Sequence, residues 1–106
     1  MKIIEHFVDG KKYPGNSNRT SPVFDPATGE ETAQVKLGNL KDLNQTVEKA
    51  QKAFYSWSNT PPLQRARVLF KYKELIEKNL DLLIKIIVSE HGKVYEDARG
   101  SLTRGL

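Results

Sequence analysis

The chain has 106 residues, 38% hydrophobic and 28% charged, with 17 basic against 13 acidic side chains and a net charge of +4. Those proportions exclude a disordered chain. The basic residues alternate with acids, as in Lys71, Lys73, Glu74, Glu77 and Lys78, instead of forming the basic stripe with interleaved aromatics that nucleic-acid binding needs.

Residues Ile3 to Val8 alternate loosely between apolar and polar and lead into Asp9-Gly10, the dipeptide that favours a type I′ hairpin turn. Lys11 to Tyr13 is the expected return strand, closed by Pro14-Gly15, with a polar, turn-like stretch at Asn16 to Asn18. Pro22-Val23-Phe24 forms a second apolar run. It ends at Asp25-Pro26-Ala27-Thr28-Gly29, where proline sets one backbone angle and glycine permits another. Thr32 to Leu37 reads as a strand with Ala33, Val35 and Leu37 on one face.

From residue 38 the pattern turns helical. Asn39 is a good N-cap, with Asp42 three residues on as a short capping-box partner. Leu40, Leu43, Val47, Ala50, Phe54 and Trp57 follow at steps of three and four, which predicts one buried helix face with Phe54 and Trp57 in the core. Ser58-Asn59 ends that helix. Thr60-Pro61 is expected to start the next, with threonine as cap and proline in the first helical position. Its candidate buried stripe is Leu63, Ala66, Leu69, Phe70, Ile76 and Leu80. A break at Asn79-Leu80-Asp81 precedes a further stripe of Leu82, Leu83, Ile86 and Ile87, with Gly92 placed to end the helix. Tyr95 onward suits a new helix. The chain then ends at Arg104-Gly105-Leu106 without a polar tail or a stop signal, which leads us to expect a longer parent protein. The fold class expected is α/β: short strands and a hairpin over residues 1–37, then three to four helices over 38–106, as one partial domain.

The chemistry-bearing motifs are sparse. No cysteine is present, which removes disulfides, thiolate metal sites and cysteine nucleophiles from these residues. His6 and His91 match no metal-ligand spacing. Gly92-Lys93 lacks the Ser/Thr and the upstream glycine of a phosphate loop, and no Gly-x-Gly-x-x-Gly follows any strand. Glu90 and Asp97 read as helix-end charges. No apolar run approaches the ~20 residues of a membrane span, and the opening residues lack a secretory or transit pattern, so a cytoplasmic location is expected. Arg104 is a planar, permanently charged fork suited to a carboxylate, though on base rates it is one of many exposed arginines.

Several segments together resemble the methylmalonate-semialdehyde dehydrogenase branch of the aldehyde dehydrogenase superfamily, in order and spacing. They are His6-Phe7-Val8-Asp9-Gly10-Lys11, Pro22-Val23-Phe24-Asp25-Pro26-Ala27-Thr28-Gly29-Glu30, Ala53-Phe54-Tyr55-Ser56-Trp57-Ser58, Pro61 to Phe70 and Glu90-His91-Gly92-Lys93. Arg65-Ala66-Arg67-Val68-Leu69-Phe70 and the closing Arg104-Gly105 point to the CoA-acylating semialdehyde branch. The resemblance implies the amino-terminal part of a cofactor-binding domain. The parent enzyme would oxidise malonate or methylmalonate semialdehyde with NAD and coenzyme A, through a cysteine nucleophile and a thioester. It also implies a homo-oligomer, with the remainder of the dehydrogenase chain as the first partner and neither nucleic acid nor membrane among the others. Of the family's site residues only the arginine matching Arg104 falls within this chain, where it would hold the substrate's carboxylate. No cofactor-contacting or catalytic residue is carried over, and neither NAD nor coenzyme A is expected to bind this segment alone. Gly100-Ser101-Leu102-Thr103-Arg104-Gly105 departs from the Gly-Glu-Val-Gln-Arg-Gly common among relatives, so a glutamate's charge is missing beside the arginine. The alternative reading is a truncated, non-catalytic paralogue that acts as a small helical interaction module.

Overall fold

A computed structural model describes residues 1–106. Five strands precede four helices: β1 (Lys2–Ile4), β2 (His6–Val8), β3 (Lys11–Tyr13), β4 (Thr20–Phe24), β5 (Glu31–Lys36), α1 (Leu40–Asn59), α2 (Pro62–Lys78), α3 (Leu80–His91) and α4 (Tyr95–Gly105). The α/β class and the strand-then-helix order agree with the sequence. The chain divides into two compact units, one of residues Met1–Phe24 with Glu31–Thr60, the other of Asp25–Glu30 with Pro61–Leu106.

In the first unit, β2 and β3 form the expected hairpin, pairing His6 with Tyr13 and Val8 with Lys11. Asp9 and Gly10 both adopt positive φ, 57° and 74°, the type I′ geometry that matches strand twist. The stretch Ile3 to Val8 is not one strand, however. It breaks at Glu5, and β1 leaves the hairpin to pair parallel with β5, Ile4 opposite Val35. β5 is thus the centre of a three-stranded sheet, with β4 antiparallel on its other side. Ala33 is buried at its middle.

Helix α1 begins as the sequence requires. The Asn39 side chain accepts the Asp42 N–H at 3.0 Å, and the Asp42 carboxylate accepts the Asn39 N–H at 2.9 Å, a reciprocal capping box. Its apolar face is another matter. Leu40, Leu43, Val47, Phe54 and Trp57 are all exposed, and the residue the helix buries is Asp42. The periodicity correctly located a face but not a covering for it within these residues.

In the second unit, α2 starts one residue later than expected, with Pro61 in the cap position and Pro62 first in the helix. Thr60 serves the preceding helix instead: its hydroxyl donates to the Ser56 carbonyl at 3.0 Å. Leu63, Leu69 and Phe70 of the expected buried stripe are exposed, while Ala66, Ile76 and Leu80 are half-buried. The core lies between α3 and α4, where Ile84 and Ala98 are fully buried. Ile84 was not among the expected core positions, whereas Leu82 and Ile86 of that stripe are exposed. Ile84 is the one buried residue of α3, and Leu80, Leu83, Ile87 and Val88 are half-buried, so Leu83 and Ile87 of the expected stripe do face inward in part. The centre of that side is Ile84, not Leu82 or Ile86, because α4 returns against it with the small, fully buried Ala98. Gly92 ends α3 with φ 80°, as the left-handed terminating residue. A Cβ there would stand 3.2 Å from Pro26, so a side chain would also crowd that ring.

Candidate functional site

Arg104 occupies the last turn of α4, where a cation complements the helix dipole. The first turn carries Glu96 and Asp97 and is equally well matched. The guanidinium folds back along the helix: Nη2 donates to Ser101 Oγ at 3.4 Å, one turn earlier. Gly100 leaves the room for this, because a Cβ at that position would sit 3.3 Å from Arg104 Nη1. A second cation reaches the same hydroxyl. Lys93, in the loop between α3 and α4, places Nζ 2.9 Å from Ser101 Oγ. The hydroxyl hydrogen is directed to the Asp97 carbonyl at 3.2 Å, so the oxygen faces the two cations as an acceptor.

The four ion pairs of the chain are Glu48–Lys52, Lys71–Glu74, Lys73–Glu77 and Asp81–Lys85, all exposed and within single helices. Neither Lys93 nor Arg104 belongs to one. The serine that replaces the expected glutamate therefore supports the arginine through a neutral oxygen and leaves its charge unspent. Sequence reasoning picked out Arg104 and missed its companions. The three-residue spacing from Ser101 was visible; the approach of Lys93 depends on the turn at Gly92, which spacing alone does not describe.

In the first turn of α3, Asp81 accepts the Tyr95 hydroxyl at 2.8 Å and pairs with Lys85 at 2.7 Å. Hydrogen bonds from Lys85 and then Tyr95 hold the Asp81 carboxyl below its usual range. This contact ties α3 to α4 and fixes the helix that carries Arg104.

The first unit contains the other concentration of polar groups. Burial pushes the Asp42 carboxyl up, but hydrogen bonds from the Asn39 backbone, the Tyr13 hydroxyl and the Asn16 side chain and backbone outweigh it and hold the group far below the carboxylate range. Tyr13 donates at 2.8 Å, the Asn16 N–H at 2.8 Å and its side-chain amide at 2.7 Å. Asp42 in turn raises the Tyr13 hydroxyl, first through that hydrogen bond. These contacts lock the hairpin and the loop after it onto the start of α1. The same geometry argues against a dinucleotide here. The β5–α1 connection is the strand–turn–helix where a pyrophosphate would rest on helix amides. Yet the Asn39 side chain already occupies the Asp42 amide, and a buried carboxylate in the first turn repels an anion. The residues present do not fit NAD. No group of three or more His, Cys, Asp or Glu side chains is arranged to hold a metal, and no helix is long and apolar enough to cross a membrane.

An α/β stretch with this order of strands, capped helices and αL glycine is the amino-terminal part of an aldehyde dehydrogenase cofactor-binding domain. The Aldehyde dehydrogenase family model matches residues 13–106, and the chain belongs to that family. It is 42% identical over all 106 residues to malonate-semialdehyde dehydrogenase of Pseudomonas aeruginosa. It is 40% identical over 103 residues, 97% of the chain, to the protein of that name from Halalkalibacterium halodurans. In each case it covers 21% of the relative, so the chain spans about a fifth of the length of the curated relatives it matches. Among solved structures, one named for methylmalonate-semialdehyde dehydrogenase of Sinorhizobium meliloti, complexed with NAD, superposes over the whole chain. Its TM-score is 0.96 at 42% identity, over 22% of that chain. Succinate-semialdehyde dehydrogenase of Burkholderia pseudomallei matches 94% of the chain with a TM-score of 0.88 at 30% identity, over 21% of its own length.

Proposed function

We propose that these residues are part of an NAD-dependent, coenzyme A-acylating dehydrogenase of malonate or methylmalonate semialdehyde. In this reading they form one partial domain of its NAD-binding domain, and Arg104 holds the substrate's carboxylate. The observation that carries the reading is 42% identity, over the full 106 residues, to a malonate-semialdehyde dehydrogenase. The Arg104 assignment draws support from a guanidinium exposed on its helix and steadied by Ser101 without a carboxylate partner. The parent enzyme is cytoplasmic and homo-oligomeric, with the rest of the dehydrogenase chain packed on this part. By itself the stretch does not turn over, because it supplies no cysteine to attack the aldehyde and its only strand–turn–helix rejects the nucleotide.

The test is to capture the protein from its source cell with an antibody against residues 39–92, measure its mass, and assay NADH formation from malonate semialdehyde with and without coenzyme A. A protein several times larger than 12.0 kDa whose NADH formation and acyl-CoA product require coenzyme A bears the proposal out. Absence of semialdehyde oxidation in the native protein refutes it. The exposed apolar faces of α1 and α2 favour a second reading, a helical interaction module without catalysis. A native mass of 12.0 kDa together with recovery of one stoichiometric partner would select it.

A further inference from the structure

Helix α2 carries an arginine that its own unit does not satisfy. Gln64, Arg67, Lys71, Glu74 and Lys78 recur at alternating steps of three and four, which gathers them on one narrow polar stripe. The rest of the circumference is apolar apart from Arg65, Lys73 and Glu77. Lys73 and Glu77 pair with each other at 3.4 Å. Arg65 is half-buried and belongs to none of the ion pairs. Its Nε is shut off from solvent and has no hydrogen-bond partner. A permanently charged donor so placed loses its water and receives nothing in exchange, a costly arrangement.

A helix polar on a single stripe is built to be surrounded. Within the unit α3 packs against α2, yet Leu63, Val68, Leu69, Phe70, Tyr72 and Leu75 stay exposed. Arg65, Leu69, Tyr72 and Ile76 follow one another at steps of four, three and four along one side. The last three line an open apolar hollow with Leu106, so the unpaired charge sits one turn before it. We propose that α2 is an enclosed helix of the complete dehydrogenase, and that an Asp or Glu from the remainder of the same polypeptide accepts the Arg65 guanidinium beside this hollow. This rests on the reading of the chain as part of such an enzyme. The chain covers 22% of the Sinorhizobium meliloti structure, which leaves most of a dehydrogenase to supply the cover. Cover from the same polypeptide closes the face as each subunit folds, whereas cover from a second subunit leaves it open until assembly. The acceptor is a carboxylate because Nε and one Nη form a planar pair of donors that its two oxygens match, and because only an anion neutralises the charge.

The experiment uses the complete enzyme at its native mass, crystallised and compared with Arg65→Met and Arg67→Met. The two variants lose the same charge two residues apart, one off the polar stripe and one on it. The crystal structure should place a carboxylate oxygen of the same polypeptide within about 3 Å of Arg65 Nε. Arg65→Met should shorten the half-life of heat inactivation by about tenfold or more, because it strands the buried carboxylate. Arg67→Met should change it by less than about twofold. Arg65→Lys keeps the charge without the fork and should fall between them; it carries the comparison if Arg65→Met yields no soluble enzyme. Equal half-lives for the Arg65 and Arg67 variants overturn the pairing, as does an Arg65 held by water or backbone carbonyls. A carboxylate from a neighbouring subunit overturns the assignment to the same polypeptide. Each of these results, obtained with an enzyme that oxidises the semialdehyde, leaves the dehydrogenase reading standing. A native mass of 12.0 kDa overturns both.

Discussion

Ile84 supplies the most direct test of where the core of the second unit lies. It is completely inaccessible, while Leu82, two residues earlier on the same helix, is 58% exposed. Ile84→Ala removes three carbon atoms, each worth about 0.8 kcal/mol when fully buried. The unfilled space between α3 and α4 adds a cavity term, so the expected loss is about 3 kcal/mol, within the usual range for such truncations. The higher helix propensity of alanine returns only a few tenths of a kcal/mol. Leu82→Ala should cost less than about 1 kcal/mol, because most of that side chain already contacts water. The appropriate assay is amide hydrogen exchange across α3 and α4, which reports opening of this unit directly. Trp57 fluorescence is unsuitable, since the tryptophan belongs to the other unit. Equal losses for the two variants, or a loss below ~1 kcal/mol for Ile84→Ala, would refute the assigned packing of α3 on α4.

Three further outcomes are expected. The Asp42 carboxyl is held far below its unfolded value of roughly 3.9. Its contribution is therefore complete above that value and is lost as pH falls through the folded pKa. An acid titration of α1 helicity should show this loss for the natural chain, and Asp42→Asn should lack that acid-dependent component. Gly92→Ala should destabilise the second unit by about 1–2 kcal/mol from the left-handed backbone alone, and by more through contact with Pro26. Gly10→Ala, with positive φ but open space around it, should incur only the backbone cost, both losses being read from urea denaturation followed by amide signals of the unit concerned. In the complete enzyme, Arg104→Met should raise KM for the semialdehyde by about 10- to 100-fold with a smaller change in kcat. Lysine at that position should be an incomplete substitute because it lacks the planar fork; an unchanged KM would remove Arg104 from the substrate site.

Local structure was legible in the sequence wherever a single residue's chemistry decides it. Asp9-Gly10 specified its turn because both positions require positive φ, Asn39 and Asp42 specified a helix start because their side chains satisfy unpaired amides, and Gly92 specified a helix end. Family membership was readable from the order of short segments, and the role proposed for Arg104 rests on them. Burial was not readable in this way. Periodicity marks an apolar face but says nothing about what lies opposite, so the stripes of α1 and α2 were identified while their exposure was not. The parallel pairing of β1 with β5, the centring of the α3 core on Ile84 and the meeting of Lys93 with Arg104 at Ser101 all join residues through turns and returning helices. Those contacts depend on the direction in which each element leaves the last, which only the tertiary structure decides.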